Sequence, residues 1–257
     1  MDLSGMSSKE REQAMQEASL LSRLSHPHIV RFLDLVVEDT KLCLVTEYLE
    51  GGDLQRVING CADRGQKLAE VEIWRWLLQV TSALLYLHKV QVLHRDVKPA
   101  NIFLTRDRKN AILGDLGIAK VLEYVAVGAM TQIGTPAYLA PEVWMGRRYG
   151  AAADIYSLGC TVFELAELRM PFSAHSRAML AALVCHRRSP PISGATGYSS
   201  ALRGIVHLMM DKRPVVRPGA AQILAYAVEI ASGERSADLL ARRGRGPAGC
   251  WLDAGSE

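Results

Sequence analysis

One short polar loop, set between two apolar stretches, constrains this chain more than anything else in it. His94-Arg95-Asp96-Val97-Lys98-Pro99-Ala100-Asn101 follows Leu84-Leu85-Tyr86-Leu87 and leads directly into Ile102-Phe103-Leu104. A carboxylate, an ammonium two residues on and an amide five residues on stand within six residues of one another. An His-Arg-Asp triplet alone could simply cap a buried turn. With Lys98 and Asn101 in register that reading recedes.

The bulk numbers bound the setting. At 257 residues there is room for one large domain or two lobes with a sizeable core. Hydrophobic residues at 49% and charged residues at 22% have the balance of an ordinary globular protein. A formal charge of +3 is too weak to argue for nucleic acid or an anionic membrane. The five cysteines are far apart with no C-x-x-C pair, which favours a reducing compartment over a disulfide framework or a zinc site. No apolar run reaches the length of a membrane-spanning helix, and the first residues have neither a basic nor an apolar leader pattern. A cytoplasmic protein is expected.

Along the chain, Ser7-Ser8-Lys9-Glu10 reads as a capping box, opening a helix with Ala14, Met15, Ala18, Leu21 and Leu24 on one stripe. Pro27 ends it. Two β-branched and apolar runs, Ile29 to Val37 and Leu42 to Thr46, predict a hairpin. After Gly51-Gly52 the signals turn helical. The segment Val71 to Leu87 has Trp74, Leu77, Leu78, Leu84 and Leu85 on a wide face. Further helices are expected at 152–168, 177–185, 200–210 and 219–230. From about Ile230 the composition shifts to Gly, Ala, Arg and Ser, which predicts an unstructured tail.

The loop at His94–Asn101 resembles the protein-kinase catalytic loop, H-R-D-x-K-x-x-N, at full spacing. Fourteen residues after Asn101 stands Asp115, in Gly114-Asp115-Leu116-Gly117, similar to the metal-binding D-F-G segment with Leu for Phe. Gly134-Thr135-Pro136-Ala137-Tyr138-Leu139-Ala140-Pro141-Glu142 is similar to the end of a kinase activation segment. Asp154-Ile155-Tyr156-Ser157-Leu158-Gly159 looks like the start of the central helix of the large lobe. The resemblance implies an α+β, two-lobed kinase-like fold. A small N-lobe (helix plus β-hairpin) would occupy 1–48, a mainly helical C-lobe 49–230, and the tail 231–257.

It also implies roles. Phosphoryl transfer needs a carboxylate for the hydroxyl proton, a cation beside the travelling phosphate and oxygens on the metal. Asp96 and Lys98 would be catalytic, while Asn101 and Asp115 would hold Mg²⁺. Glu47, Leu49, Asp53 and Phe103 would line the ATP site with them. Glu142 would pair with Arg217, Asp154 would hold the backbone at His94 and Arg95, and Glu17 would take the place of the helix glutamate. Thr135 and Lys98 point to serine/threonine rather than tyrosine acceptors. Thr131 matches a common phosphosite whose phosphate could pair with Arg95, though an ordinary loop residue is an equal reading. Protein substrates with Ser/Thr acceptors are the implied partners. Asp53 lies where arginine-selecting kinases place an acid, but the second acid of that pair is here Ala100. Selection for arginine three residues before the acceptor is therefore expected to be weak.

Within the family, Met6–Glu12, Leu20–Pro27 and Asn101–Thr105 resemble the NimA-related kinases. No G-x-G-x-x-G and no V-A-I-K strand precede Glu17, so its lysine partner is missing from these residues. Lys9 and Lys41 are weak substitutes. Loss of one preorganised charge lowers such a rate by roughly 10²–10³-fold, and an uncovered hairpin edge invites aggregation. The expectation is a truncated record of a full kinase. The alternative, from another functional class, is a non-catalytic kinase-like scaffold.

Overall fold

The computed structural model describes residues 22–38, 41–115 and 136–231. The Ser7–Glu10 capping box, its helix with Lys9 and Glu17, Leu116, the segment with Thr131 and Thr135, and the tail lie outside these residues. Strands form where apolar and β-branched residues crowd. β1 (Phe32–Glu38) and β2 (Lys41–Thr46) pair antiparallel, with Val36 opposite Cys43 and Val37 opposite Leu42. The expected hairpin is therefore present, but it starts at Phe32. Ile29 is buried and instead makes a parallel bridge to Leu113, flanked by Val30 N–H to Leu113 O at 2.9 Å and Leu113 N–H to His28 O at 2.9 Å. That bridge ties the hairpin to the rest of the molecule.

Asp53 opens α1 (Leu54–Asp63), its Oδ1 accepting from Arg56 N at 2.9 Å, and Leu54, Ile58 and Cys61 form the buried stripe. The long α2 (Glu70–Lys89) has acids in its first turn and cations in its last, matching the helix dipole. Its buried face runs through Ile73, Leu77, Val80, Leu84 and Leu87. Trp74, Leu78 and Leu85, expected on that face, sit at its half-buried flanks, where the Trp74 indole can donate to Glu70 Oε1 at 3.0 Å.

Then come α3 (Pro141–Trp144), α4 (Ala151–Glu167), α5 (Arg177–His186), α6 (Ser200–Met209) and α7 (Ala220–Ala231). The helix α4 is apolar nearly all round and is buried accordingly, the mark of a core helix. α6 packs on α4, and both α4 and α7 pack on α2. Hairpin, central helix and surrounding helices give the expected α+β architecture.

Two three-residue strands position the site. β3 (Ile102–Leu104) and β4 (Ala111–Leu113) pair antiparallel with Ile102 opposite Leu113, so the residues just outside, Asn101 and Gly114, stand side by side. Gly114 N–H donates to Asn101 O at 2.9 Å. The segment after β2 is stitched to β3 by Gly51 N–H to Leu104 O at 3.0 Å and Leu104 N–H to Gly52 O at 2.8 Å. Only glycine fits there, since a Cβ on Gly51 would lie 2.2 Å from Thr105 O.

Candidate active site

The polar loop ends in a 3₁₀ turn at Pro99–Asn101 and is held from behind by α4. Asp154, in its first turn, accepts from His94 N at 3.0 Å, Arg95 N at 2.9 Å and His88 Nε2 at 2.9 Å. His94 is fully buried, its Nε2 2.9 Å from Gly114 O and its Nδ1 3.3 Å from Asp96 N. One partner is an acceptor and the other a donor, which selects the neutral Nε2–H tautomer. Burial agrees, pushing the His94 pKa below its usual value against the opposing pull of Asp154. The imidazole therefore joins the loop to the Gly114–Asp115 turn.

With the backbone so fixed, three side chains meet. Lys98 Nζ lies 2.8 Å and Asn101 Nδ2 3.0 Å from the same oxygen, Asp96 Oδ2, and Asn101 Nδ2 also donates to Asp96 O at 2.8 Å. The Asp96 and Lys98 side chains are mostly shielded, at 10% and 17% exposure, which strengthens their attraction. Because the Asn101 amide nitrogen is committed to Asp96, its oxygen is at the opposite end of the group. Asp115 is exposed at the end of β4 with φ at 52°, and Arg95 has φ at 66°. Two non-glycine residues held in the left-handed region are strained conformations of the sort that functional turns store.

A cavity of about 250 Å³ is lined by Val30, Glu47, Leu49, Asp53, Arg56 and Phe103 among others, and Phe103 follows Asn101 by two residues on β3. The structure thus brings four of the six residues expected at the nucleotide, Glu47, Leu49, Asp53 and Phe103, to one hollow, while Asn101 and Asp115 do not line it. Two of these four are engaged in ways the sequence did not suggest. Glu47 Oε1 accepts from Arg31 N at 2.8 Å. Asp53 both caps α1 and meets Arg56 Nε at 3.4 Å. Val30, Leu49 and Phe103 offer apolar surface to a flat heteroaromatic ring, and the amide oxygen of Asn101 and the exposed carboxylate of Asp115 are ligand types that a hard divalent cation takes. The residues fit ATP and Mg²⁺.

Glu142 and Arg217 form a buried two-pronged pair at 2.6 and 2.8 Å, as expected. Arg217 also donates to Asp211 O at 2.7 Å and Ala152 O at 2.8 Å, so its charge is saturated. Of the residues anticipated from sequence, Glu17, Thr131 and Thr135 lie outside the described residues. His88 and Arg56 are the participants sequence reading missed. His88 has no motif, only its place in the last turn of α2, and Arg56 lies one turn after the cap Asp53.

A family profile described as "Protein kinase domain" matches residues 1–228. Serine/threonine-protein kinase Nek4 of Mus musculus is 40% identical over 226 residues, 87% of this chain and 28% of its own length. Serine/threonine-protein kinase Nek6 of Oryza sativa subsp. japonica is 42% identical over 229 residues, 87% of this chain and 41% of its own. Probable serine/threonine-protein kinase nek2 of Dictyostelium discoideum is 37% identical over 227 residues, 86% of this chain and 53% of its own. The chain therefore spans about a quarter to a half of the length of these curated relatives. With its loop geometry and these matches together, the chain belongs to the protein kinase family, among the Nek (NimA-related) serine/threonine kinases.

Proposed function

We propose that this chain uses the Asp96–Lys98–Asn101 cluster to transfer the γ-phosphoryl group of ATP to serine or threonine hydroxyls of proteins. The observation that carries the reading is the convergence of Lys98 and Asn101 on Asp96 Oδ2. When bound, ATP supplies the phosphoryl group and Mg²⁺ neutralises charge on its phosphates. Asn101 and Asp115 would hold the metal, and the hollow at Glu47, Leu49 and Phe103 the base. Asp96 accepts the hydroxyl proton, and Lys98 holds its carboxylate in place while countering negative charge at the acceptor. Asp154 and His94 act indirectly, by fixing the backbone that aims Asp96. Arg95 Nε is buried with no partner among the described residues, which suits an anion such as a phosphate on Thr131. A cytoplasmic place of action belongs to the same proposal.

The test is incubation of the protein with γ-labelled ATP, Mg²⁺ and peptides differing only in a serine, threonine or tyrosine acceptor. Serine and threonine peptides become labelled, the tyrosine peptide does not, and EDTA abolishes the signal. Tyrosine labelling, or labelling that survives EDTA, contradicts the reading.

A further inference from the structure

A cavity of about 380 Å³, sharing no lining residue with the hollow at Glu47, opens where the chain leaves α5 and α6. Met210, Asp211 and Lys212 are part of its wall, and their carbonyls are pinned. Ser189 Oγ donates to Met210 O at 2.7 Å, while Arg217 donates to Asp211 O at 2.7 Å and Lys212 O at 3.3 Å. A wall fixed by a buried, saturated arginine is organised before any ligand arrives.

The charges around the opening do not cancel. Asp211 is the acid of the lining, and its Oδ1 is taken by Arg213, from N at 2.8 Å and from Nε at 3.3 Å. Lys212 turns inward, with Nζ 4.2 Å from the centre of the Phe172 ring and 3.4 Å from Tyr156 Oη. Burial lowers its pKa to about 8. Arg188 and His207 are exposed at the rim, and their side chains have no partner among the described residues. Three other exposed arginines are ion-paired, Arg56 to Asp53, Arg106 to Glu50 and Arg169 to Glu167, whereas Arg108, Arg147, Arg148 and Arg187 have no ion pair among the described residues. The Met210 side chain is buried, with its Cγ packed toward Gly159 of α4.

We propose that this cavity docks a phosphoserine or phosphothreonine side chain presented by a partner protein. Guanidinium forks at Arg188 and Arg213 match the oxygens of a phosphate dianion, and His207 adds a further donor. A concave site with so few cations does not suit an extended polyanion. Adsorption to an anionic bilayer uses clusters of about 4–8 Lys/Arg, and a nucleic-acid groove needs a basic stripe. The proposal stands apart from the phosphotransfer reading, since it uses none of that site's residues.

Fluorescence anisotropy with the 257-residue protein tests it. The probe is a short fluorescein-labelled glycine/serine peptide with one central phosphoserine followed by leucine. The expected result is saturable binding that weakens at least about tenfold without the phosphate, and by a similar factor in Arg188→Glu, because charge-assisted bonds dominate. His207→Ala, a milder rim change, weakens it several-fold. Both variants are at exposed positions and should keep the parent melting temperature. No binding overturns the proposal, as does equal binding of the unphosphorylated peptide or of Arg188→Glu. Competition by inorganic phosphate as strong as by the peptide reduces the cavity to a free-anion site. Sedimentation with phosphatidylserine vesicles in place of peptide binding makes it a membrane contact. Either result overturns it too.

Discussion

Asp53 and Arg56 show how far a side chain's neighbours decide its use. Asp53 lines the hollow proposed for the nucleotide, where a free carboxylate would attract a basic residue of an acceptor peptide. It is occupied instead, by the α1 backbone at 2.9 Å and by Arg56 Nε at 3.4 Å. The sequence suggested weak arginine selection only from the absence of a second acid at Ala100, and the ion pair is a further reason. The side chain of Arg56 is 80% exposed, so the pair is weak in energy and easily removed. Arg56→Ala should raise the preference for upstream arginine by no more than about fivefold, the limit set by an exposed ion pair. An arrayed peptide library phosphorylated by both proteins reads this directly. An unchanged profile would mean that Asp53 does not face the acceptor.

Elements differ in how openly the sequence announces them. The helices α2, α4, α5, α6 and α7 were legible because ten or more residues repeat an apolar stripe, and their observed ends agree to within one or two residues. The helix α1 was not singled out, because its stripe follows a Gly-Gly break and its start depends on the Asp53 cap. β3 and β4, three residues each, are too short for any alternation to show, yet they set Asn101 beside Gly114. The loop residues were legible by type and spacing. Their support depends on contacts far along the chain: Asp154 holds His88 and the His94 backbone from 66 and 60 residues away, and the tautomer of His94 is set by Gly114 O, 20 residues away. The joint between α3 and the turn before α7 is the Glu142–Arg217 pair. Removing one partner of a buried pair leaves a bare charge, so Arg217→Ala should destabilise by roughly 3–5 kcal/mol. Urea unfolding measures it, and a loss below about 1 kcal/mol would show the pair to be dispensable.

At the scale of the whole molecule, one buried histidine, His94, and one half-buried, His26, couple stability to pH. Burial lowers the pKa of His94, and burial with nearby His28 lowers that of His26. Above about pH 6.5 both rings are neutral, folded or unfolded. As pH falls from there, the unfolded chain takes up protons that the folded protein refuses, so stability declines through the folded-state pKa values. Glu164 has the opposite sign: burial raises its pKa, so its contribution is present below about 4.5 and is lost as pH rises through the raised value. Glu70 and Asp211, both lowered, weaken the fold only in that same acid range. The melting temperature should stay level from pH 8 to 7 and drop between about 6.5 and 5, by roughly 2–4 °C per kcal/mol lost. The test is cleanest in Glu164→Gln, which removes the opposing titration: there, a melting temperature that rises on acidification over that interval would contradict the neutral, locked His94.

All of this geometry converges on Asp96. The most direct measurement is single-turnover phosphoryl transfer to a serine peptide by the parent protein and by Asp96→Asn, which keeps the side chain's shape and removes its charge. The account predicts a fall of about 10²–10⁴-fold in rate with the cooperative unfolding transition retained. An asparagine variant that transfers phosphate as fast as the parent would contradict it.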